Sequence, residues 1–214
     1  MKRIVPVIFA VALVLLVLTV SIGLPIYLRP FYYAHIDALG LDECSGFTKE
    51  QIRTAYDEVL DYLTLPGKSF GTGELAHSAE GAAHFADCKV LFDLNAGVLL
   101  GAAVVVAAIL LVRKRCKLPS LRPAAFWAGV SALTLPVVVG SLAALDFDRA
   151  FVIFHQIFFP GKSNWLFDWR TDPIILALPQ EFFRNCAILI GTGLVIFSLS
   201  LLIFTGIRDK KAGK

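Results

Sequence analysis

The sequence predicts an all-α integral membrane protein: four transmembrane helices, an extracytoplasmic helical cap and a re-entrant or interfacial aromatic loop. Three observations lead there. Of 214 residues, 57% are hydrophobic and 17% charged, with mean hydropathy +0.72, whereas a soluble domain is about 45–50% apolar and about 25% charged. Four uncharged stretches approach the ~20 residues that a helix needs to cross about 30 Å of hydrocarbon. The charges, finally, divide unevenly among the connections. The balance of 20 Lys+Arg against 17 Asp+Glu, a net +3, also argues against a disordered tail and a nucleic-acid-binding module.

The predicted spans cover about 4–28, 94–112, 124–145 and 187–207. The first follows Lys2 and Arg3, but its apolar run exceeds the about 7–15 residues of a signal-peptide core, and no A-x-A site follows it, so it reads as a retained anchor. Backbone amides cannot stay unpaired in lipid, which makes all four stretches helices. Pro6, Pro25 and Pro136 then mark helix ends or kinks, and Gly101, Ala102, Ala103, Gly191 and Gly193 offer close helix–helix contacts. One side collects Lys2, Arg3, Arg113, Lys114, Arg115, Lys117, Arg122, Arg208, Lys210, Lys211 and Lys214, 11 basic residues against the single acid Asp209. The positive-inside rule makes that side, with both termini, cytoplasmic. Segments 29–93 and 146–184, with 9 basic and 16 acidic residues, face outward.

In the first outward segment, Thr48-Lys49-Glu50-Gln51 has the form of a capping box. Ile52, Tyr56, Val59, Leu60 and Leu63 follow at helical spacing until Pro66-Gly67. This predicts an amphipathic helix of about four turns over the bundle or along the outer lipid surface. A second short helix is expected over 73–92, running into the second span. The other outward segment is as apolar as a span, yet broken by Pro160, Gly161, Pro173 and Pro179. An aromatic belt at headgroup depth accounts for Trp165 and Trp169. It does not account for His155, Asn164 and Asp172, because ionisable groups near a membrane are costly.

All four histidines, His35, His77, His84 and His155, fall in the outward segments. Imidazole exchanges protons near neutrality, and two that converge from different segments would make an acid–base pair. His84 and Asp87 share a helix face at i,i+3, where Asp87 is able to orient the ring or simply make a local hydrogen bond. Gly67-Lys68-Ser69-Phe70-Gly71 matches G-x-S-x-G but follows a polar helix rather than a buried strand, so it is not a nucleophile elbow. The Gly-Lys-Ser triplets at 67–69 and 161–163 lack the earlier glycine of a phosphate loop. His84, Asp87 and His155 would make three metal ligands, but no spacing demands a metal, and no cofactor is expected. Cys44 and Cys88, both outward, allow either a disulfide or two free thiols.

Leu75-x-His77 through Glu80-x-x-x-His84-Phe85-x-Asp87-x-Lys89-x-Leu91-Phe92 resembles one block of the bacterial lipoprotein intramolecular transacylase (Lit) family. Phe154-His155-x-Ile157-Phe158-Phe159, Asn164-Trp165-x-Phe167-Asp168, Asp172-Pro173-x-Ile175 and Leu178-Pro179-x-x-Phe182-Phe183 resemble its second block. Phe85 and Cys88 stand where the family pattern has methionine and valine, and His77 rivals His84 in the phasing of the first block. The resemblance implies a multi-pass enzyme of the bacterial cell membrane, with its active site at the extracytoplasmic face. It would act on diacylglyceryl-modified lipoproteins, moving the sn-2 acyl chain of the modified cysteine to that residue's α-amine to give the lyso form. His84 would then be general base, oriented by Asp87, and His155 the proton or oxyanion donor, or the reverse. Asn164, Arg149 and Asp172 are candidates for positioning substrate, with Trp165 in support. Beside this stand two other classes: a non-catalytic four-span envelope scaffold, which needs no histidines, and a metal-dependent lipid hydrolase.

Overall fold

The computed structural model describes residues 4–113 and 115–212; Lys2, Arg3, Lys114 and Lys214 of the basic set lie outside the described residues. Among the described residues, all regular structure is helical. The elements are α1 (Ile4–Tyr27), α2 (Arg29–Ala38), α3 (Leu41–Ser45), α4 (Lys49–Thr64), α5 (Ala79–Val112), α6 (Arg122–Leu145), α7 (Phe147–Phe158), α8 (Ile174–Ala177) and α9 (Gln180–Ala212). They form two compact units, one of Met1–Leu24, Asn95–Leu145 and Ile188–Lys214, the other of Pro25–Leu94 and Asp146–Ala187.

The first unit holds the most apolar stretches of four helices. α1, α5, α6 and α9 are each long and apolar enough to cross a membrane, with mean hydropathy between 1.9 and 3.0 in their most apolar windows. Bulky side chains of α1 meet small ones of α6: Phe9 and Leu13 pack with Ala124 and Ala128 beside Leu121, and Val17 with Ala132 and with Leu194 of α9. The three alanines recur every fourth residue, so they share one face and let the helices approach. Buried Ser21 and Asn95 are paired inside the unit. Ser21 donates to the Val17 carbonyl at 2.7 Å, and Asn95 Nδ2 to the Thr19 carbonyl at 3.3 Å. Outward-facing Leu100, Leu111 and Trp127 are well exposed, as lipid-facing side chains are on an isolated chain. Pro6 and Pro25 lie in the end turns of α1, whereas Pro136 sits inside α6, where it leaves the Ala132 carbonyl without its usual i+4 donor.

The second unit is made of the segments that the sequence reads as the cap, and it is built on tyrosines. Tyr32 of α2, fully buried, stacks on Tyr56 of α4 at 3.6 Å between ring centroids and donates its hydroxyl to the Ala177 carbonyl at 2.7 Å. Ile52, Ala55, Val59, Leu60 and Leu63 of α4 complete the core with Ile174, Leu178 and Phe182. Burying each such large side chain contributes about 1.5–3 kcal/mol. The Thr48–Gln51 capping box opens α4 with both of its reciprocal bonds. On the polar face Arg29 pairs with Asp57 and Asp61, which holds the Asp61 carboxyl below the usual carboxylate range. The helix expected over 73–92 starts only at Ala79: Ser78 accepts the Gly81 amide at 2.9 Å and serves as the helix cap. From there α5 runs unbroken for 34 residues, and α9 for 33, about 50 Å each at ~1.5 Å per residue.

Gly191 and Gly193 look interchangeable in sequence but are not in space. A Cβ on Gly193 would lie 2.7 Å from Leu24 Cδ1 and 3.2 Å from Ser21 Oγ, whereas one on Gly191 meets nothing within 4 Å. Gly193→Leu is therefore expected to lower the thermal unfolding midpoint in detergent, through overpacking of about 1–3 kcal/mol. Gly191→Leu, equally apolar, leaves that midpoint in place. Equal midpoints for the two variants would contradict this packing.

Candidate active site

Within the cap, α5 and α7 bring two imidazoles together. His84 of α5 and His155 of α7 are 7% and 8% exposed, and their ring centroids lie 6.0 Å apart at 31°. His77, the rival in sequence, is exposed and contacts Thr72 and Phe70 instead. His35 pairs with Asn185 Nδ2 at 3.0 Å and with the Phe31 carbonyl at 2.7 Å. Of the four histidines, the structure joins His84 with His155.

Aromatic rings wall the pair. Trp165 stacks on His155 at 4.5 Å, Phe151 lies 4.3 Å from it, and Phe159 and Phe167 turn their edges to His84 at 5.0 and 5.5 Å. These neighbours displace water without offering a counter-charge. Burial accordingly pushes the His155 pKa below its ordinary value, partly offset by the hydrogen bond to the Phe151 carbonyl, and His155 is neutral at pH 7. That bond is 2.8 Å from Nδ1; a carbonyl only accepts, so Nδ1 carries the proton and Nε2 presents a bare lone pair. On His84 the pattern differs. Nε2 lies 3.4 Å from Cys88 Sγ, and the buried Nδ1 has no hydrogen-bond partner.

Two carboxylates fix the segment that carries Trp165 and Phe167. Asp87 Oδ1 binds Lys162 Nζ at 2.5 Å, and its Oδ2 accepts from Asn164 Nδ2 at 3.2 Å. Trp165 Nε1 then donates to the Lys162 carbonyl at 3.1 Å. Farther along, buried Asp172 accepts from the Ser78 amide and the Thr171 hydroxyl, each at 2.8 Å, and so ties the segment to the first turn of α5. Residue 81 must be glycine for this approach, since a Cβ there would fall 2.1 Å from Asp172 Oδ1.

Several sequence expectations change accordingly. Asp87 does not hydrogen-bond to His84; a lysine and an amide from the distant segment satisfy its oxygens. Asp172 is committed to backbone capping. Arg149 gives its amide to the Asp146 cap at 2.9 Å and leaves its guanidinium exposed, in contact with neither imidazole. The Cys44–Cys88 disulfide is not formed: Cys44 is exposed on α3, while Cys88 faces His84 and packs against the cap core. Among the described residues no group of three His, Cys, Asp or Glu is disposed to hold a metal ion, Asp87 being turned to Lys162. Sequence reasoning missed Lys162 as Asp87's partner, and missed Cys88 as His84's neighbour. The i,i+4 spacing of Cys88 from His84 was the available signal for the latter.

A Gly81→Ala substitution tests the Asp172 anchor. It is expected to displace the carboxylate from the Ser78 amide and to speed hydrogen exchange in the first turn of α5, at a cost of about 1–3 kcal/mol. Exchange at the wild-type rate there would argue against the anchor.

Residues 7–183 match the model of the family described as lipoprotein intramolecular transacylase Lit. A crystal structure of the membrane-integral lipoprotein intramolecular transacylase Lit from Bacillus cereus is similar over 100% of this chain and 99% of its own, with TM-score 0.90 and 23% identity. A variant of that protein with one histidine changed to arginine covers 100% of this chain and 95% of its own (TM-score 0.82, 22% identity). At such identities the likeness speaks for the fold. An uncharacterized protein of Aquifex aeolicus (strain VF5) is 29% identical over 85 residues, 40% of this chain and 38% of that relative's length.

Proposed function

The chain belongs to the lipoprotein intramolecular transacylase (Lit) family, and from that premise we propose that it moves the sn-2 acyl chain of a lipoprotein's S-diacylglyceryl cysteine to that cysteine's α-amine. The observation that carries the reading is the buried imidazole pair, His84 and His155, 6.0 Å apart within aromatic walls. In the reaction the amine nitrogen attacks the ester carbonyl carbon. The N–C bond forms, the C–O bond to glycerol breaks, and the proton lost by the amine is the one that the departing oxygen needs. Products are an N-acyl cysteine and a free sn-2 hydroxyl, with no proton, nucleotide or redox equivalent consumed.

The hydrogen bonds support one division of the roles. His155, with Nδ1–H held by the Phe151 carbonyl, offers Nε2 as the base. His84, with Cys88 beside Nε2, has Nδ1 left for the carbonyl oxygen or the leaving oxygen. A separation of 6.0 Å suits two rings that serve different atoms of one substrate rather than each other. The attack also closes a ring of about eight atoms, so holding the lipid's ends together supplies much of the rate. Exposed Ile153, Phe154, Ile157 and Phe158 of α7, with Leu166 and Trp169 beyond it, favour contact with acyl chains. The charge asymmetry supports a bacterial plasma membrane protein with both termini cytoplasmic and the histidines at the outer face.

The test is mass spectrometry of lipoproteins from a host lacking N-acylation. Wild type is expected to convert the diacylglyceryl form to the lyso form, and His84→Ala and His155→Ala each to lose at least about 100-fold in conversion. Full conversion by both variants would refute the imidazole chemistry and favour a scaffold; released free fatty acid would point instead to a hydrolase.

The pH dependence has a definite sign. An α-amine titrates at about 7.7–8.0, above the depressed imidazole of His155. With purified enzyme and a synthetic diacylglyceryl lipopeptide, kcat/KM should fall about tenfold per pH unit on acidification below pH ~7.5, following the amine. A second acid limb, set by His155, lies below the ordinary histidine range. A single limb at pH 6.5 that is unmoved by the amine's pKa would oppose this order of proton loss.

A further inference from the structure

Asn164 carries an unspent hydrogen-bond acceptor. Its Nδ2 donates to Asp87 Oδ2 at 3.2 Å, while its Oδ1 is buried and has no partner. The assignment of the two amide atoms is fixed by the neighbour: a carboxylate oxygen only accepts, so the atom that faces Asp87 is the NH2 group and the orphan is the carbonyl. An unpaired buried acceptor is costly, and the native state recovers that cost only when a donor arrives.

The neighbourhood says what kind of donor fits. Asn164 immediately precedes Trp165, whose indole covers His155, and its amide is oriented by the Asp87 carboxylate that also holds Lys162. Lys162 is thereby spoken for at 2.5 Å. A lipid phosphate or carboxylate would bring only acceptors to an acceptor. An ester carbonyl or glycerol ester oxygen would do the same. Of the groups in an S-diacylglyceryl cysteine, the α-amine is a donor with hydrogens to spare, and it must lie beside the base.

We infer that Asn164 Oδ1 accepts a hydrogen bond from the substrate's α-amino group and orients its lone pair toward the ester carbonyl, with Asp87 and Lys162 holding the amide in place. This rests on the transacylase reading and extends it: the site selects a free amino terminus through Asn164, and selects the ester by other groups. In the transfer one N–H of the amine stays on Asn164 while the other proton passes to the base and then to the leaving oxygen. The nitrogen gains the acyl carbon and glycerol keeps the C–O electron pair.

The experiment compares two ligands on the purified full-length enzyme. One is a synthetic diacylglyceryl lipopeptide with a free α-amine; the other is the same lipopeptide with hydrogen in place of that amine, used as an inhibitor. Asn164→Ala is expected to lower kcat/KM for the first about 10–100-fold and to leave the inhibition constant of the second within about twofold of wild type. Asn164→Asp keeps an oxygen but places a carboxylate next to the amine, favours its ammonium form, and moves the acid limb of the rate profile to higher pH. If Asn164→Ala weakens the amine-free inhibitor in parallel with kcat/KM, or leaves kcat/KM intact, the inference is overturned. Failure of the wild type itself to convert the free-amine lipopeptide would instead overturn the transacylase reading.

Discussion

The cap works only if a long aromatic segment, far from α5 in sequence, is pinned against it, and two carboxylates do the pinning. Asp172 takes a backbone amide at the first turn of α5 and Asp87 takes a lysine and an amide two turns on. Both are acceptors meeting N–H donors, a charge-assisted arrangement stronger than a neutral pair. Asp172 is 4% exposed, so a lost donor would strand a buried charge, whereas a half-exposed ion pair such as Lys162–Asp87 is worth less in energy than in register. The glycine at position 81 is the steric condition for the first of these contacts. Without them Trp165 and Phe167 would have no fixed place, and the imidazoles would lose their walls.

Those walls determine the chemistry open to the site. Around His84 and His155 stand faces and edges of Phe151, Phe159, Trp165 and Phe167, groups that exclude water and provide no countercharge. A cation is disfavoured there, so His155 rests neutral with a lone pair free on Nε2. Polar capacity is left where a substrate has need of it: one ring nitrogen of His84 and one amide oxygen of Asn164 are buried without partners. Ser21, Thr72 and Tyr32 are satisfied within their own units, while Ser198 Oγ in the apolar unit also lacks a partner. Two unsatisfied groups in the unit that holds the histidine pair suit a site that is completed by its ligand.

What the sequence made legible followed from local rules and from the bilayer. The Thr48–Gln51 box is a four-residue interaction, and it forms as written. The apolar helices were visible because lipid leaves an uncharged stretch of that length no other structure. His155 stood out because ionisable groups are rare in so apolar a segment, and His84 because an acid shares its helix face. Spacing failed where a distant partner outcompeted a near one. Asp87 is one turn from His84, yet Lys162 offers it a full charge where a neutral ring offers a single N–H. Cys44 and Cys88 were both expected in the outward segments, but they share no neighbourhood. Gly191 and Gly193 differ only in which side of α9 they occupy, which no rule of local sequence encodes.

The position of Cys88 carries the argument one step further. A thiol beside a ring nitrogen is a better donor than acceptor, so Cys88 next to Nε2 favours the His84 tautomer whose proton sits on Nδ1. The Phe151 carbonyl imposes the complementary state on His155, whose free nitrogen is the unprotonated one. The two rings then differ before any substrate enters: one offers a proton, the other a lone pair. Transfer from an ester to an amine needs that asymmetry, because the attacking nitrogen must lose a proton while the opposite side of the carbonyl gathers negative charge. Two identical imidazoles in water would have to find it by chance at each turnover. Here, neighbours one helical turn from each ring, Cys88 and Phe151, set it through the fold.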